Sequence, residues 1–388
     1  MPAAHPNKQT NWSNSILPTG WTPMASPPDT LIGHDELLAR MARDLAAGRL
    51  HHGWLLNGPE GIGKFKAALH LAAWLLSVPD QSTASLFADE ASNRLPDPRQ
   101  LDPDHPEVRL ALTQTHPDLL IIKPSEDEKN KSGQIKTDQI RELNSFFAHS
   151  AGRGGWRVAI IDSLDLVNRN GQNAMLKILE EPPKQALLLV LNNRSGAVLP
   201  TIRSRCTQAV MQPLRQTETI QVLERLWPSG DDAYIRTLAG LSGGSPGQAV
   251  QLAEAEAAPL FEASCHLLCD PATRPEDFWA IAEKWGPAGN KGRAVRAAAL
   301  FLFDRLITTA SVNAASVETT LQQEDDFSAL GFIRPTLDAL RQRHQAETLA
   351  RLHQEFCADL RRTERLFLDF SPVFAKFLCK LHSQTQPE

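Results

Sequence analysis

The hydrophobic pattern of the chain begins with helical spacing and then changes to short, uninterrupted apolar runs. Residues 35–47 carry apolar side chains on one face, which predicts a helix. Residues 53–57 form an apolar strand that enters a glycine-rich turn. Residues 64–76 then resemble a buried helix, which Pro79 ends. This order predicts a strand, a tight loop and a helix.

Strand and helix patterns continue to alternate farther along the chain. Apolar runs predict strands at 118–122, 156–161 and 186–191, and helical periodicity predicts helices at 136–149 and 170–180. Alternating strands and helices favour a parallel α/β sheet that is covered on both faces. The Pro- and Asp-rich stretch that precedes residue 118 shows little periodicity and predicts an irregular insertion at 79–118.

The pattern changes near residue 213, beyond which we find no strong strand candidate. The Pro-, Ser-, Thr- and Asn-rich beginning of the chain predicts an extended lead-in. Four segments follow from these changes: an extended N-terminal segment at 1–29, an α/β domain at 30–213, a small helical domain at 214–258 and an all-α domain at 259–388.

Composition narrows the class of protein. The chain has 388 residues, enough for two or three domains, and its net charge of −5 argues against a protein that coats nucleic acid by charge alone. Five irregularly spaced cysteines do not suggest a disulfide framework. We find neither a signal peptide nor an apolar run long enough for a bilayer, so we expect a soluble cytoplasmic protein without membrane contact.

A phosphate-loop sequence joins the first strand to its helix. It reads G-P-E-G-I-G-K-F and contains Gly58, Gly61, Gly63 and Lys64. Backbone N–H groups of such a loop cradle phosphates, and the lysine reaches the outer phosphates. The next position normally supplies a hydroxyl to Mg²⁺, but here it is Phe65. The loop is equally compatible with a glycine turn retained without a ligand.

A carboxylate follows the apolar strand at 156–161. Asp162 could hold Mg²⁺, either directly or through water. Active ATPases of this broad class usually place Glu next, whereas this chain has Ser163, which is a poor base. Asp165 is a weak substitute. Because the metal and base positions both lack their usual chemistry, we expect an impaired catalytic site, although Asp162 could also simply cap its strand.

A third motif, T-I-R-S-R-C at 201–206, follows the last predicted strand. An arginine presented at a subunit boundary can stabilise the γ-phosphate charge in a neighbouring site. Taken alone, the pair Arg203 and Arg205 is more typical of solvated salt-bridge formers in a loop.

The three motifs occur in the order found in the clamp-loader branch of the AAA+ ATPases. The stretch N-A-M-L-K-I-L-E-E-P-P at 173–183 resembles the family signature N-A-L-L-K-x-L-E-E-P-P. The tripeptide S-R-C at 204–206 is similar to the family's arginine-finger motif, and residues 49–56 resemble its entry into the phosphate loop. This resemblance covers about residues 30–255.

The resemblance implies roles for individual residues. Arg205 would be a trans-acting arginine finger, and Asn192 would occupy the sensor-1 position of a degenerate nucleotide site formed with Gly58, Gly61, Gly63, Lys64 and Asp162. The sensor-2 motif G-S-x-R is represented by G-S-P-G-Q at 244–248, which lacks the arginine. Weak ATP or phosphate binding is compatible with this set, but no cofactor is assigned.

The resemblance also implies an architecture and partners. We expect an AAA+ P-loop domain at 30–213, a helical lid at 214–258 and an oligomerisation collar at 259–388. Such a subunit would lack ATPase activity of its own, or have little. It would assemble with the gamma/tau and delta subunits of bacterial DNA polymerase III to place the sliding clamp on primer-template DNA during replication.

Two alternatives remain at this point. A gamma/tau-like ATPase would hydrolyse ATP itself, but Phe65, Ser163 and the missing sensor-2 arginine argue against it. A stand-alone AAA-type scaffold outside replication would have no use for the S-R-C motif, because a finger needs a neighbour with an active site.

The cysteine pattern departs from that of related clamp-loader subunits, which carry a four-cysteine zinc module before the Walker B strand. Residues 77–156 contain no cysteine, so we expect no zinc and no other bound metal. Cys265 and Cys269 lie in an apolar helical stretch and are better explained by core packing.

Overall fold

A computed structural model describes residues 31–78, 95–124, 134–148, 155–193, 198–286, 289–312, 326–366 and 368–383. The described residues fall into two compact units, 31–222 and 223–383. The extended segment predicted at 1–29 lies outside them. Among the helices that the model describes, none has both the length and the apolar character needed to cross a bilayer.

A five-stranded parallel sheet forms the centre of the first unit. Its strands are β1 (Gly53–Asn57), β2 (Leu119–Ile122), β3 (Arg157–Ile161), β4 (Ala186–Asn192) and β5 (Thr207–Val210), in the order β2-β3-β4-β1-β5. Every pairing is parallel, so all carboxyl ends of the strands lie at one edge of the sheet.

Helices cover both faces of this sheet. The helices of the first unit are α1 (Asp35–Ala46), α2 (Lys64–Ser77), α3 (Pro106–Leu112), α4 (Thr137–Ala148), α5 (Arg169–Ala174), α6 (Leu176–Glu180), α7 (Pro200–Arg203) and α8 (Gln216–Leu226), whose last residues belong to the second unit. Successive side chains of β4 alternate between the two hydrophobic cores, one on each face of the sheet. Leu187 and Leu189 pack with α1 and α2, whereas Leu188 and Val190 pack with α4 and α6. The predicted α/β P-loop class is therefore confirmed.

Three local features differ from the predicted elements. Strand β5 was not predicted, because only Ala209 of its residues is buried and an edge strand of this kind has little apolar signal. Helix α3 lies within the stretch predicted to be irregular. The helix predicted at 170–180 is divided at Met175 into α5 and α6.

Helices are the regular secondary structure of the second unit in its described residues. It contains α9 (Asp232–Ser242), α10 (Pro246–Glu254), α11 (Ala257–Cys269), α12 (Pro275–Trp285), α13 (Gly289–Ser311), α14 (Ile333–Arg343), α15 (Ala346–Leu366) and α16 (Ser371–His382). Its core includes edge-to-face contacts of the Phe303 ring with Phe261 and Phe374. The separation into a lid and a collar at residue 258 stays a prediction.

The two cysteines of α11 lie against other helices of the second unit. Cys265 is fully buried, and burial raises the pKa of its thiol. The Cys269 sulfur lies 3.3 Å from the Thr336 hydroxyl oxygen on α14. Within the described ranges, no three Cys, His, Asp or Glu side chains converge as metal ligands would. The expected absence of zinc stays a prediction.

Candidate functional site: the phosphate loop and the arginine loop

The phosphate loop connects the carboxyl end of β1 to the first turn of α2. The Gly58 N–H donates to the Asn192 carbonyl at the end of β4, at 3.2 Å, which anchors the loop to the sheet. Gly61 and Gly63 have φ angles of 78° and 96°, a conformation that favours glycine. The glycines of the motif are therefore required by the backbone path, whether or not a phosphate binds.

Lys64 is folded back onto this loop. Its side-chain ammonium is buried and donates to the Gly58 carbonyl at 2.9 Å and to the Pro59 carbonyl. Burial lowers the pKa of Lys64, while the Asp162 carboxylate opposes that shift. The ammonium is therefore held where the loop closes, at the place from which a lysine can reach a bound phosphate.

Asp162 directly follows β3 at the same edge of the sheet. Its N–H donates to the Ile122 carbonyl at the end of β2, at 2.9 Å. Burial raises the pKa of this carboxyl group, and the positive charges of Lys123 and Lys64 act in the opposite direction. The carboxylate and two ammonium groups therefore share one small region beside the phosphate loop.

Phe65 presents an aromatic ring at the position where the phosphate-loop motif normally has a hydroxyl. The Lys123 Nζ atom lies 3.5 Å from the centre of this ring, within the range of a cation–π interaction. A Mg²⁺ ion requires oxygen ligands in a nearly octahedral arrangement. A ring covered by an ammonium group offers none, so the residues present do not fit a phosphate-bound Mg²⁺.

The polar residues at the end of β4 bond mainly to other protein groups. The Asn192 side chain is buried and donates through Nδ2 to Asn57 Oδ1 at 2.8 Å, while its own Oδ1 has no hydrogen-bond partner among the described residues. Asn193 donates through Nδ2 to Ser163 Oγ at 3.1 Å. The Ser163 hydroxyl, one residue beyond Asp162, is thus engaged by an amide.

Arg205 lies at the opposite end of β1 from the phosphate loop. Its carbonyl oxygen would lie 3.5 Å from a Cβ atom added to Gly53, the first residue of β1. Its guanidinium donates to the Thr201 carbonyl at 3.0 Å and pairs with Glu180 at 3.0 Å. The arginine keeps about a third of its side chain exposed. Since β1 is roughly 13 Å long, the backbone of Arg205 is well removed from its own phosphate loop.

Comparison with known proteins gives a family match for the first unit. Residues 33–215 match the family model described as DNA polymerase III, delta subunit. The delta-prime subunit of Pseudomonas aeruginosa is 33% identical over 195 residues, 50% of this chain and 53% of that protein. The delta-prime subunit of Escherichia coli is 28% identical over 229 residues, 59% and 62% of the two chains.

The predicted resemblance to DNA polymerase III clamp-loader subunits is confirmed. The family model covers residues 33–215, and the chain spans between about half and three-fifths of the length of these two delta-prime subunits. A gamma subunit-related protein of Thermotoga maritima covers 91% of this chain and 100% of its own, with 17% identity and a TM-score of 0.39. A likeness that weak carries no information about chemistry.

Within this clamp-loader-like region, the structure brings together most of the predicted nucleotide-site residues. Gly58, Lys64, Asp162 and Asn192 all lie at the carboxyl edge of the sheet, and Arg205 is separate from them. The assignment of roles to these residues stays a prediction.

Two residues near the phosphate loop were not found from the sequence. Lys123 follows the predicted strand 118–122, and polar residues at the carboxyl ends of parallel strands are a known signal for binding sites. His34 lies over the loop, with Nε2 at 2.9 Å from the Ile62 carbonyl, and burial lowers the pKa of its imidazole. No sequence signal distinguishes His34 from an ordinary loop histidine.

Proposed function

We propose that this chain acts as a delta-prime-type subunit of the DNA polymerase III clamp loader. It would assemble with gamma/tau and delta subunits and help to place the sliding clamp on primed DNA. It would not hydrolyse ATP itself but would supply Arg205 to the site of a neighbouring subunit. The observation that carries this proposal is the combination of an altered phosphate loop with an arginine presented at the other end of β1.

The altered site supports the absence of hydrolysis. Hydrolysis of a nucleotide needs a metal that neutralises developing charge and a group that orients the attacking water. Phe65 provides no oxygen to a metal, and the Ser163 hydroxyl is engaged by Asn193. Asp165 accepts a hydrogen bond from the Asn193 N–H at 3.3 Å, so its carboxylate is also committed to the protein.

The arginine loop supports a role in trans. Arg205 is too far from its own phosphate loop along β1 to contact a γ-phosphate there. Its guanidinium is always charged and can bond two phosphate oxygens at once. The ion pair with Glu180 is partly exposed, and pairs of this kind contribute about 0 to 1 kcal/mol, so exchanging the carboxylate for a phosphate costs little.

The second unit is proposed to mediate assembly. It is helical and exposes large apolar side chains on its surface, including Trp279 on α12 and Leu366 at the end of α15. Aromatic side chains such as that of Trp279 are enriched at protein interfaces. A collar formed by helices of this unit would bring the arginine loop to a neighbouring subunit.

Reconstitution tests this proposal. The full chain is mixed with purified gamma/tau and delta subunits, and the mass of the product and the loading of clamp onto primed DNA are measured. We expect one complex that contains the chain and loads the clamp, and no steady-state ATP hydrolysis by the isolated chain. Failure to enter the complex, or hydrolysis by the isolated chain that Lys64→Ala abolishes, would contradict the proposal.

A further inference from the structure

An ammonium group lies over the ring of Phe65, which stands where the phosphate-loop motif normally supplies a hydroxyl to Mg²⁺. Ile122 pairs with Ile161 in the parallel register of β2 and β3, so Lys123 and Asp162 leave neighbouring strand ends together. The Lys123 carbonyl accepts a hydrogen bond from Gln139 Nε2 at 3.0 Å, which fixes its backbone to α4. The Lys123 Nζ atom then lies 3.5 Å from the centre of the Phe65 ring.

Phe65 and Lys123 form one local arrangement. The residue after Lys64 has no hydroxyl that could bind a metal, and the positive charge of Lys123 lies over its ring instead. A cation over an aromatic face is attracted by the ring quadrupole. The position therefore still holds a positive charge, but the charge is monovalent and covalently tethered.

Two ammonium groups dominate the charged surroundings of the Asp162 carboxylate. Lys123 and Lys64 act on this carboxylate more strongly than the negative charges of Asp165 and Glu60 do. A divalent cation approaching Asp162 would be repelled by both ammonium groups. A diphosphate would instead meet two ammonium groups and the N–H groups of the glycine turn at the start of α2.

We propose that the phosphate loop binds a diphosphate-containing ligand without a divalent cation, with the Lys123 ammonium replacing the metal. The ligand class is a nucleoside diphosphate or triphosphate, or inorganic pyrophosphate. To receive it, Lys64 exchanges its hydrogen bonds to the Gly58 and Pro59 carbonyls for bonds to phosphate oxygens. The buried Asn192 Oδ1, which has no partner in the described structure, marks a polar position at the same strand edge.

Calorimetric titration of the full chain with ADP and with pyrophosphate tests the proposal. Each titration is performed in excess EDTA and again with MgCl₂. We expect binding in EDTA, and a dissociation constant that Mg²⁺ does not lower, because the positive charge is already present. We expect Lys123→Gln to weaken binding by about tenfold, since it removes one charged hydrogen-bond donor, and Lys123→Arg to retain most of the affinity.

Two further proteins complete the experiment: a matched control variant, and a double variant that restores a hydroxyl and removes the Lys123 ammonium. Lys184→Gln removes an exposed lysine that precedes β4, at the opposite edge of the sheet, and should bind like the wild type. The double variant Phe65→Thr with Lys123→Ser should bind ADP only when Mg²⁺ is present. Circular dichroism establishes that each variant is folded before it is titrated.

Three results would overturn the inference. They are no binding of either probe by the wild type, tighter binding when Mg²⁺ is added, and wild-type affinity in folded Lys123→Gln. Because these titrations use the isolated chain, their outcome is separate from that of the assembly experiment. A chain that joins the clamp loader but binds no diphosphate would refute this inference alone.

Discussion

At the scale of single residues, buried imidazoles link the stability of the protein to pH. His70 and His344 are buried, and their Nε2 atoms lie 2.6 Å from the Pro98 carbonyl oxygen and 2.8 Å from the Leu381 carbonyl oxygen. A neutral ring protonated at Nε2 can donate to these carbonyls. Burial lowers the pKa of both imidazoles from 6.5, because the charged form loses its hydration.

This lowered pKa predicts a loss of stability in mild acid. Between the folded-state pKa and 6.5, the unfolded chain binds a proton that the folded chain does not. The free energy of unfolding should therefore fall as the pH drops below 6.5, by at most about 1.4 kcal/mol per pH unit for His70. Urea unfolding at a series of pH values, followed by tryptophan fluorescence, measures this slope.

Two variants distinguish the buried histidine from an exposed one. His70→Gln should flatten the pH dependence of the urea midpoint, whereas His266→Gln, on an exposed position of α11, should keep the wild-type dependence. Equal slopes in the two variants would show that His70 does not contribute to the acid sensitivity.

At the scale of structural elements, the strand–loop–helix unit around β1 is restricted by close packing, whether or not a ligand binds. A Cβ atom on Gly58 would lie 2.5 Å from the Met211 carbonyl oxygen and 2.8 Å from Ile62 Cδ1. Because the first of these neighbours is backbone, it cannot move aside without disturbing the chain beyond β5. The first glycine of the motif is therefore needed for the fold itself.

We expect Gly58→Ala to lower the free energy of unfolding by about 1–3 kcal/mol, the usual cost of forcing extra volume into a packed site. Gly155→Ala is the matched control, because a Cβ atom there meets nothing within 4 Å. Urea unfolding measures both variants. A Gly58→Ala protein as stable as the control would mean that the loop can shift away from Met211 at little cost.

The elements also show why part of the fold was predictable. Strands β1, β3 and β4 are almost entirely buried, so each appears in the sequence as a continuous apolar run. Strand β5 buries one of its four residues and was missed. The glycine loop was predicted because its backbone path requires glycine at fixed spacing.

The site was predictable to a lesser degree. Motif spacing found Lys64 and Asp162, but the importance of Lys123 depends on the pairing of β2 with β3, which the sequence does not determine. The position of Arg205 beside the first residue of β1 likewise follows from tertiary structure. Sequence motifs identify the candidate residues, but the pairing of the strands determines which of these residues lie close together.

At the scale of the whole molecule, the two sites on which the proposed function depends are separated. The phosphate loop lies at the carboxyl edge of the sheet, and Arg205 lies at its amino edge. Under the proposed function, Arg205 would stay useful without hydrolysis at the phosphate loop, provided that a neighbouring subunit places its own nucleotide beside Arg205. The chain would then act on ATP only as a member of an assembly.

ATP hydrolysis by a reconstituted complex containing Arg205→Ala tests this account most directly. Arginine fingers contribute about 10³ to 10⁵ in rate in GTPases, but other subunits of the complex carry their own fingers, so we expect a several-fold loss of DNA-stimulated hydrolysis. Arg205→Lys should restore it only in part, because a point charge lacks the fork geometry, and Arg203→Ala should have a milder effect. Wild-type hydrolysis and clamp loading by a fully assembled Arg205→Ala complex would contradict the account.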